Sequence, residues 1–155
     1  MFLIRKFFIW KKKQNFDLKI LHHSNNSRFN EKDLNEMEQK LIDLVKTVDQ
    51  YFEENHIYLN SKLSADLLGS LLKQNPRLIG AAIRFKYGIS FRDYINNRRI
   101  QYIEDNFIKN YEFHKYSLDY IGEKAGFGTR QGFYIAFKKL KNTTPKEYFD
   151  NFSNR

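Results

Sequence analysis

Residues Ser117–Tyr148 read SLDYIGEKAGFGTRQGFYIAFKKLKNTTPKEY, and their punctuation dictates a run of short helices. Ser117 is a helix N-cap, and its helix is expected to end near Gly126, where glycine tolerates the left-handed backbone of a helix stop. A second helix is expected over Thr129–Leu140, with Asn142 as a left-handed C-cap. Thr144-Pro145-Lys146-Glu147 combines a capping box with a proline at the first helical position and opens another helix. Phe127, Phe133 and Phe137 form an aromatic stripe. They are expected in a core, because aromatics at helical spacing bury one face of a helix.

The same signals recur upstream. Gly88-x-Ser90-Phe91-x-x-Tyr94 reappears as Asn142-x-Thr144-Pro145-x-x-Tyr148, an offset of 54 residues, and Leu67-Leu68 reappears as Ile121-Gly122 at the same offset. Ser64 caps a helix through Leu72; Asn75-Pro76 opens one to about Lys86, which Gly88 stops. Ser90-Phe91-Arg92-Asp93 starts a longer helix reaching Phe107 and Asn110. Few segments alternate with period two, so the class is all-α. Each repeat holds a helix, a tight turn and a capped second helix, which is the helix-turn-helix arrangement. In it the first helix braces the second, which enters a major groove of duplex DNA. Two such units on one linker helix would lie in successive major grooves, about one helical turn apart.

Upstream of residue 58 the chain has a different character. Phe29-Asn30-Glu31-Lys32-Asp33-Leu34 carries an Asn N-cap, first-turn acids and a hydrophobic staple. Leu34, Met37, Leu41, Leu44, Val48 and Tyr51 then form an a/d stripe. The stripe suits docking on the following domain or a homodimer seam through 34–52. Three parts result: a basic and apolar tail with linker over 1–29, an amphipathic helix over 30–57, and the double unit over 58–155.

The chain's 155 residues suffice for one compact domain with an arm, and not for an enzyme with a separate cofactor module. The absence of cysteine excludes disulfides, thiolate zinc sites and a cysteine nucleophile, and fits a reducing cytoplasm. The net charge of +9 favours a polyanionic partner, nucleic acid or an anionic membrane surface. Residues 60–155 carry 17 basic and nine acidic groups, so the polyanion-binding part is expected there. Met1–Trp10 is apolar but interrupted by Arg5-Lys6, and falls far below the roughly 20 residues of a membrane span. With Lys11–Lys13 it reads as an amphipathic tail, or as a juxtamembrane stub that would tether the chain to a membrane.

Ile121-Gly122-Glu123-Lys124-Ala125-Gly126-Phe127, Phe133, Phe137-Lys138-Lys139 and Thr144-Pro145-Lys146-Glu147-Tyr148 together resemble the I-A-x-x-x-G-F…F…F-K…T-P-x-x-Y signature of the AraC/XylS (arabinose-regulator) family of transcription factors. Tyr94-Ile95 and Arg99-Ile100 resemble that family's Y-L…R-I pattern, and the likeness spans Leu63–Phe152. It is also similar to a subgroup in which this domain ends a membrane-anchored sensor. The resemblance implies a sequence-specific regulator of double-stranded DNA, with RNA polymerase as a candidate contact. It also implies base contacts from Thr129, Arg130, Gln131, Tyr134 and Ile135. Departures are Leu68 and Gly122 at the family's alanine, and Asn142 at its second glycine stop.

Arginine bidentate to guanine and glutamine to adenine are favoured major-groove pairings, each worth about 1–3 kcal/mol of discrimination. Arg130 and Gln131, in the first turn of a helix, suit those roles. The first recognition helix is expected to turn Pro76, Arg77, Ile79, Gly80, Ile83 and Arg84 outward, leaving Arg77 as its base-contact candidate. Lys138, Lys139, Lys141 and Lys146 in the second unit, and Arg84, Lys86 and Arg92 in the first, are phosphate-contact candidates. Arg99 is expected to turn inward, toward a carboxylate or a backbone carbonyl. His22-His23, His56 and His114 lack metal-ligand spacing, no Gly-rich phosphate loop occurs, and no catalytic set or cofactor is indicated. The competing readings are a helical protein-interaction module and the output fragment of a membrane sensor, either with weak non-specific DNA binding.

Overall fold

The computed structural model describes residues 31–110 and 112–153, and every regular element among them is helical. Seven α-helices follow one another: α1 Glu31–Asn55, α2 Ala65–Leu72, α3 Pro76–Tyr87, α4 Phe91–Ile103, α5 Leu118–Lys124, α6 Arg130–Lys141 and α7 Pro145–Ser153. Short 3-10 turns occupy Ile57–Leu59 and Glu112–Lys115. The tail 1–29, with its basic cluster and His22-His23, and the Asn30 cap lie outside the described residues. None of the described helices is long and apolar enough to cross a membrane.

The boundaries follow from side chains that satisfy orphan N–H groups. Ser64, Asn75, Ser90, Ser117 and Thr129 each accept from a backbone N–H two or three residues ahead. Gly88 and Asn142 stop α3 and α6 in the left-handed region, at φ 70° and 59°. At α7 the capping box is reciprocal: Glu147 N–H donates to Thr144 Oγ1 at 3.3 Å, and Thr144 N–H donates to Glu147 Oε2 at 3.0 Å. The long linker helix is regular only to Ile103 and then widens into a π turn over Glu104–Ile108, closed by Lys109 N–H to Glu104 O. That turn buries Phe107 and Ile108 side by side.

Two cores result, and α4 is shared between them. Val45, Val48, Phe52, Leu68, Ile79, Ile83, Tyr94 and Ile95 belong to the first. Ile100, Ile103, Phe107, Ile121, Phe133, Phe137 and Phe149 belong to the second. The units repeat more fully than the sequence comparison anticipates. Val45, Val48 and Phe52 on α1 correspond to Ile100 and Ile103 on α4 and Phe107 in the π turn after it, at an offset of 55 residues. Even the polar tie recurs. Asp49 on α1 accepts from Tyr94 OH and from Tyr87 OH at 2.5 Å, while Glu104 after α4 accepts from Tyr148 OH at 2.7 Å and Lys141 Nζ at 2.6 Å.

Between α2 and α5 the offset is 53, which corrects the alignment of Leu67-Leu68 with Ile121-Gly122. The caps Ser64 and Ser117 pair, the fully buried Leu68 pairs with Ile121, and Gly69 pairs with Gly122. The turn bond Gln74 N–H to Gly69 O, 2.8 Å, has its counterpart in Phe127 N–H to Gly122 O, 3.0 Å. Gly69, not Leu68, therefore stands where the family places alanine. A Cβ there would lie 2.7 Å from Gln74 O, which is why the position must be small. Gly128 is the extra residue that restores the offset of 54 from Asn75 and Thr129 onward.

The α1 stripe is used within the chain from Leu41 onward. Leu44, Val45, Val48 and Phe52 are buried in the first core, and Leu41 and Tyr51 pack against it. Val45 and Phe52, outside the a/d set, are fully buried, so the apolar face is wider than a coiled-coil seam. Met37 stays 45% exposed.

Candidate nucleic-acid interface

The helices expected to read DNA are α3 and α6, each packed against the short helix that precedes it. On α6, Phe133, Ala136 and Phe137 face the core, which turns Arg130, Gln131, Ile135 and Lys138 to solvent; Ile135 is 61% exposed. Thr129 is exposed, but its hydroxyl is engaged as the cap, accepting from Gly132 N–H at 3.0 Å. Tyr134 is half-buried, with its ring edge against Phe133.

On α3 the same geometry corrects the expected outward set. Ile79 and Ile83 are fully buried, being the counterparts of Phe133 and Phe137. Arg77, Leu78, Ala81 and Arg84 are exposed, with Gly80 half-covered, and Tyr87 is exposed at the end of the helix. Leu78, 41% exposed, and Ala81 are the members that sequence reasoning missed. The signal was present in the repeat, which equates Ala81 with Ile135.

Arg130 is held before any ligand arrives. Its Nη1 donates to Asp119 Oδ2 at 2.8 Å, its Nη2 lies 3.4 Å from Tyr134 OH, and its guanidinium sits 5.2 Å from the centre of the Tyr134 ring. Both charged partners are more than half exposed, so the pair adds little to stability. Its consequence is orientation: one guanidinium edge is occupied and the side chain is extended over Tyr134.

The basic candidates divide into two groups. Arg77, Arg84, Arg92, Lys138 and Lys146 are exposed and make no ion pair among the described residues. Lys86, Lys139 and Lys141 are engaged within the fold. Lys86 pairs with Asp49 at 3.1 Å, Lys139 with Asp93 at 2.6 Å, and Lys141 with Glu104 at 2.6 Å. Burial tends to raise the Asp49 carboxyl, but the hydrogen bonds from Tyr87, Tyr94 and Lys86 outweigh it and hold it below the usual range. Burial, reinforced by the bond to Glu104, pushes the Tyr148 hydroxyl up to about 12.

Arg99 is buried at 8% exposure and turns inward as expected. Its Nε donates to Tyr58 O at 2.7 Å and an Nη to Asn60 O at 2.9 Å. Its guanidinium lies 5.4 Å from the centre of the Phe127 ring. Burial lowers it to about 10, which leaves it charged at neutral pH. No group of three or more His, Asp or Glu side chains suited to a metal occurs among the described residues, where His56 bonds to Tyr58 OH and the His114 ring lies tilted against Phe113.

A family model described as "Helix-turn-helix domain" matches residues 70–151. Among solved structures, a protein of unknown function from Listeria innocua is similar at 27% identity and a TM-score of 0.57, covering 67% of this chain and 92% of that one. The C-terminal domain of AraT, a response regulator from Geobacillus stearothermophilus, is similar in fold at 23% identity and a TM-score of 0.57, covering 68% and 82%. No curated protein matches the chain significantly.

Proposed function

The chain belongs to the AraC-type helix-turn-helix family, a family of DNA-binding transcription regulators, and from that premise we propose that it recognises a specific duplex sequence by inserting α3 and α6 into successive major grooves. A domain of this kind is regulatory, not catalytic. One observation carries the finer reading: the two units expose equivalent faces, with Arg77, Gly80, Ala81 and Arg84 on α3 matched by Gln131, Tyr134, Ile135 and Lys138 on α6. Their content differs. The α6 face holds Arg130 and Gln131, which pair with guanine and adenine edges, and Ile135, which suits a thymine methyl. The α3 face offers Arg77 and a small apolar surface, so it supplies phosphate and methyl contacts with less base discrimination.

Arg84, Arg92, Lys138 and Lys146 are the proposed phosphate contacts. Lys86, Lys139 and Lys141 are better suited to holding the helices together. The packing of Leu44, Val45, Val48 and Phe52 supports a DNA-binding domain that begins within α1 and not at residue 58. The test is Arg130→Ala measured on a preferred and a random duplex at fixed salt. A loss of about 1–3 kcal/mol on the preferred duplex with little change on the random one is expected. Equal losses on both would remove Arg130 from base readout.

A further inference from the structure

The two cores meet at a small junction outside both recognition helices. On the first-unit side is the 3-10 turn Ile57–Leu59, anchored by Tyr58 in the first core. On the second-unit side is the turn between α5 and α6, anchored by Phe127 in the second core. Gly126 is at φ 87°, and a Cβ there would lie 2.6 Å from Leu59 O and 2.7 Å from Leu59 C and Cα. The turns therefore touch backbone to backbone, at a separation that only glycine permits.

Arg99 lies beside this contact on α4, where core membership passes from Ile95 to Ile100. Its hydrogen bonds go to the first unit's turn and its guanidinium face covers the second unit's Phe127. A cation held at 8% exposure, with no carboxylate of the described residues within ion-pair distance, is an expensive way to fill space, because its charge is desolvated against neutral carbonyls. A planar guanidinium, with several donors in fixed directions, specifies one angle between those partners; an aliphatic side chain of similar volume would not.

We propose that Arg99 is a positioning residue that sets the separation of α3 and α6, and thereby the spacing between the two halves of the DNA site. The linker helix alone would leave the units the freedom to bend and twist about its segment between Ile95, in the first core, and Ile100, in the second. The Arg99 junction, with the Lys139–Asp93 bridge between α6 and the start of α4, removes that freedom. DNA then has to match a fixed distance, and half-sites one base pair too far apart are rejected even when every base contact is present. The DNA consequence rests on the two-groove reading above; the geometric role does not.

Both are tested on the full chain. The absence of cysteine lets Gln74→Cys and Glu123→Cys, one exposed position in each unit, carry a spin-label pair with no competing thiol. Arg99→Gln and, from the other side of the junction, Gly126→Ala are compared with the parent, with Arg99→Lys as the conservative variant. Each is used only where circular dichroism shows parental helicity. The parent should give one narrow label distance, which Arg99→Gln and Gly126→Ala broaden and Arg99→Lys partly restores. In a selection from paired half-sites with variable spacers, the parent should enrich one spacer length. The two junction variants should lose that preference while keeping the same half-site bases. Folded junction variants that retain the narrow distance and the single spacer would overturn the proposal. A parent that enriches no two-part site would sink the two-groove reading instead, and the label distances would still decide whether Arg99 fixes the geometry.

Discussion

At the scale of single residues, Arg130 and Asp119 form the pair with the clearest consequence for recognition. Asp119 occupies one edge of the guanidinium and Tyr134 supports its face, so Arg130 is preorganised and little rotamer entropy remains to be lost on binding. Asp119→Asn should act in two directions. Binding to random duplex should tighten, because a negative charge near the phosphates is removed, while the ratio of preferred to random affinity should fall. Fluorescence anisotropy on both duplexes reads the two effects, and a uniform loss would show Asp119 to be merely structural. The lysines give a second contrast. Lys138→Ala should weaken all duplexes alike and reduce the salt slope by about one counterion. Lys141→Ala should leave that slope unchanged and lower thermal stability instead, since Glu104 loses its ion-pair partner and keeps only Tyr148 OH. Nothing in the sequence separates these two lysines, because their difference lies in which carboxylate the folded chain brings near. The misassigned face of α3 is different in kind. Ile79 and Ile83 align with Phe133 and Phe137, already recognisable as core, so the repeat held the answer that helix periodicity alone did not.

At the scale of elements, caps and stops were legible because each rests on local chemistry: Ser64, Asn75, Ser90, Ser117, Thr129 and Thr144 stand at the helix starts where the sequence places them. The register of α2 against α5 was not legible, since Leu67-Leu68 and Leu68-Gly69 are equally plausible partners for Ile121-Gly122 until the turn bond at Gly69 is seen. The π turn after Ile103 was likewise hidden, because 104–110 holds no glycine or proline to interrupt a helix. The role of α1 is the larger lesson. A two-and-a-half-heptad stripe is compatible with a dimer seam, but three-dimensional equivalence to α4 makes α1 the helix that closes the first unit, as α4 closes the second. Phe52 is fully buried in that unit. Phe52→Ala should therefore cost about 3–5 kcal/mol in urea unfolding, a large share of the roughly 5–15 kcal/mol of a small domain. A loss below about 1 kcal/mol would mean that α1 is an appended arm.

At the scale of the whole molecule, the tyrosine–carboxylate ties give stability a direction in pH. Tyr148 is held protonated to about 12 against an ordinary value near 10, and Tyr58, Tyr87 and Tyr94 are shifted the same way, in each case first by burial. The folded chain then keeps protons that the unfolded chain has released. The tyrosines' contribution to stability is fully present below pH 10 and falls as pH rises from 10 toward 12. Arg99, lowered to about 10 against an ordinary 12.5, opposes this as a single group and should reduce the loss without reversing it. Urea midpoints at pH 8 and pH 11 measure the difference, and Tyr148→Phe should shrink it. An unchanged midpoint would contradict the assigned ties.

On the proposed reading, recognition of DNA depends on both units acting together, with a discriminating half under α6 and a permissive half under α3. Selection of bound duplexes from a random library, with the full chain at near-physiological salt, tests that claim most directly. The account predicts one enriched motif with a well-defined half and a loosely defined half, centred about one helical turn apart. Binding that enriches nothing and disappears as salt rises would contradict it, leaving only the sequence-independent attraction of a basic protein for phosphates.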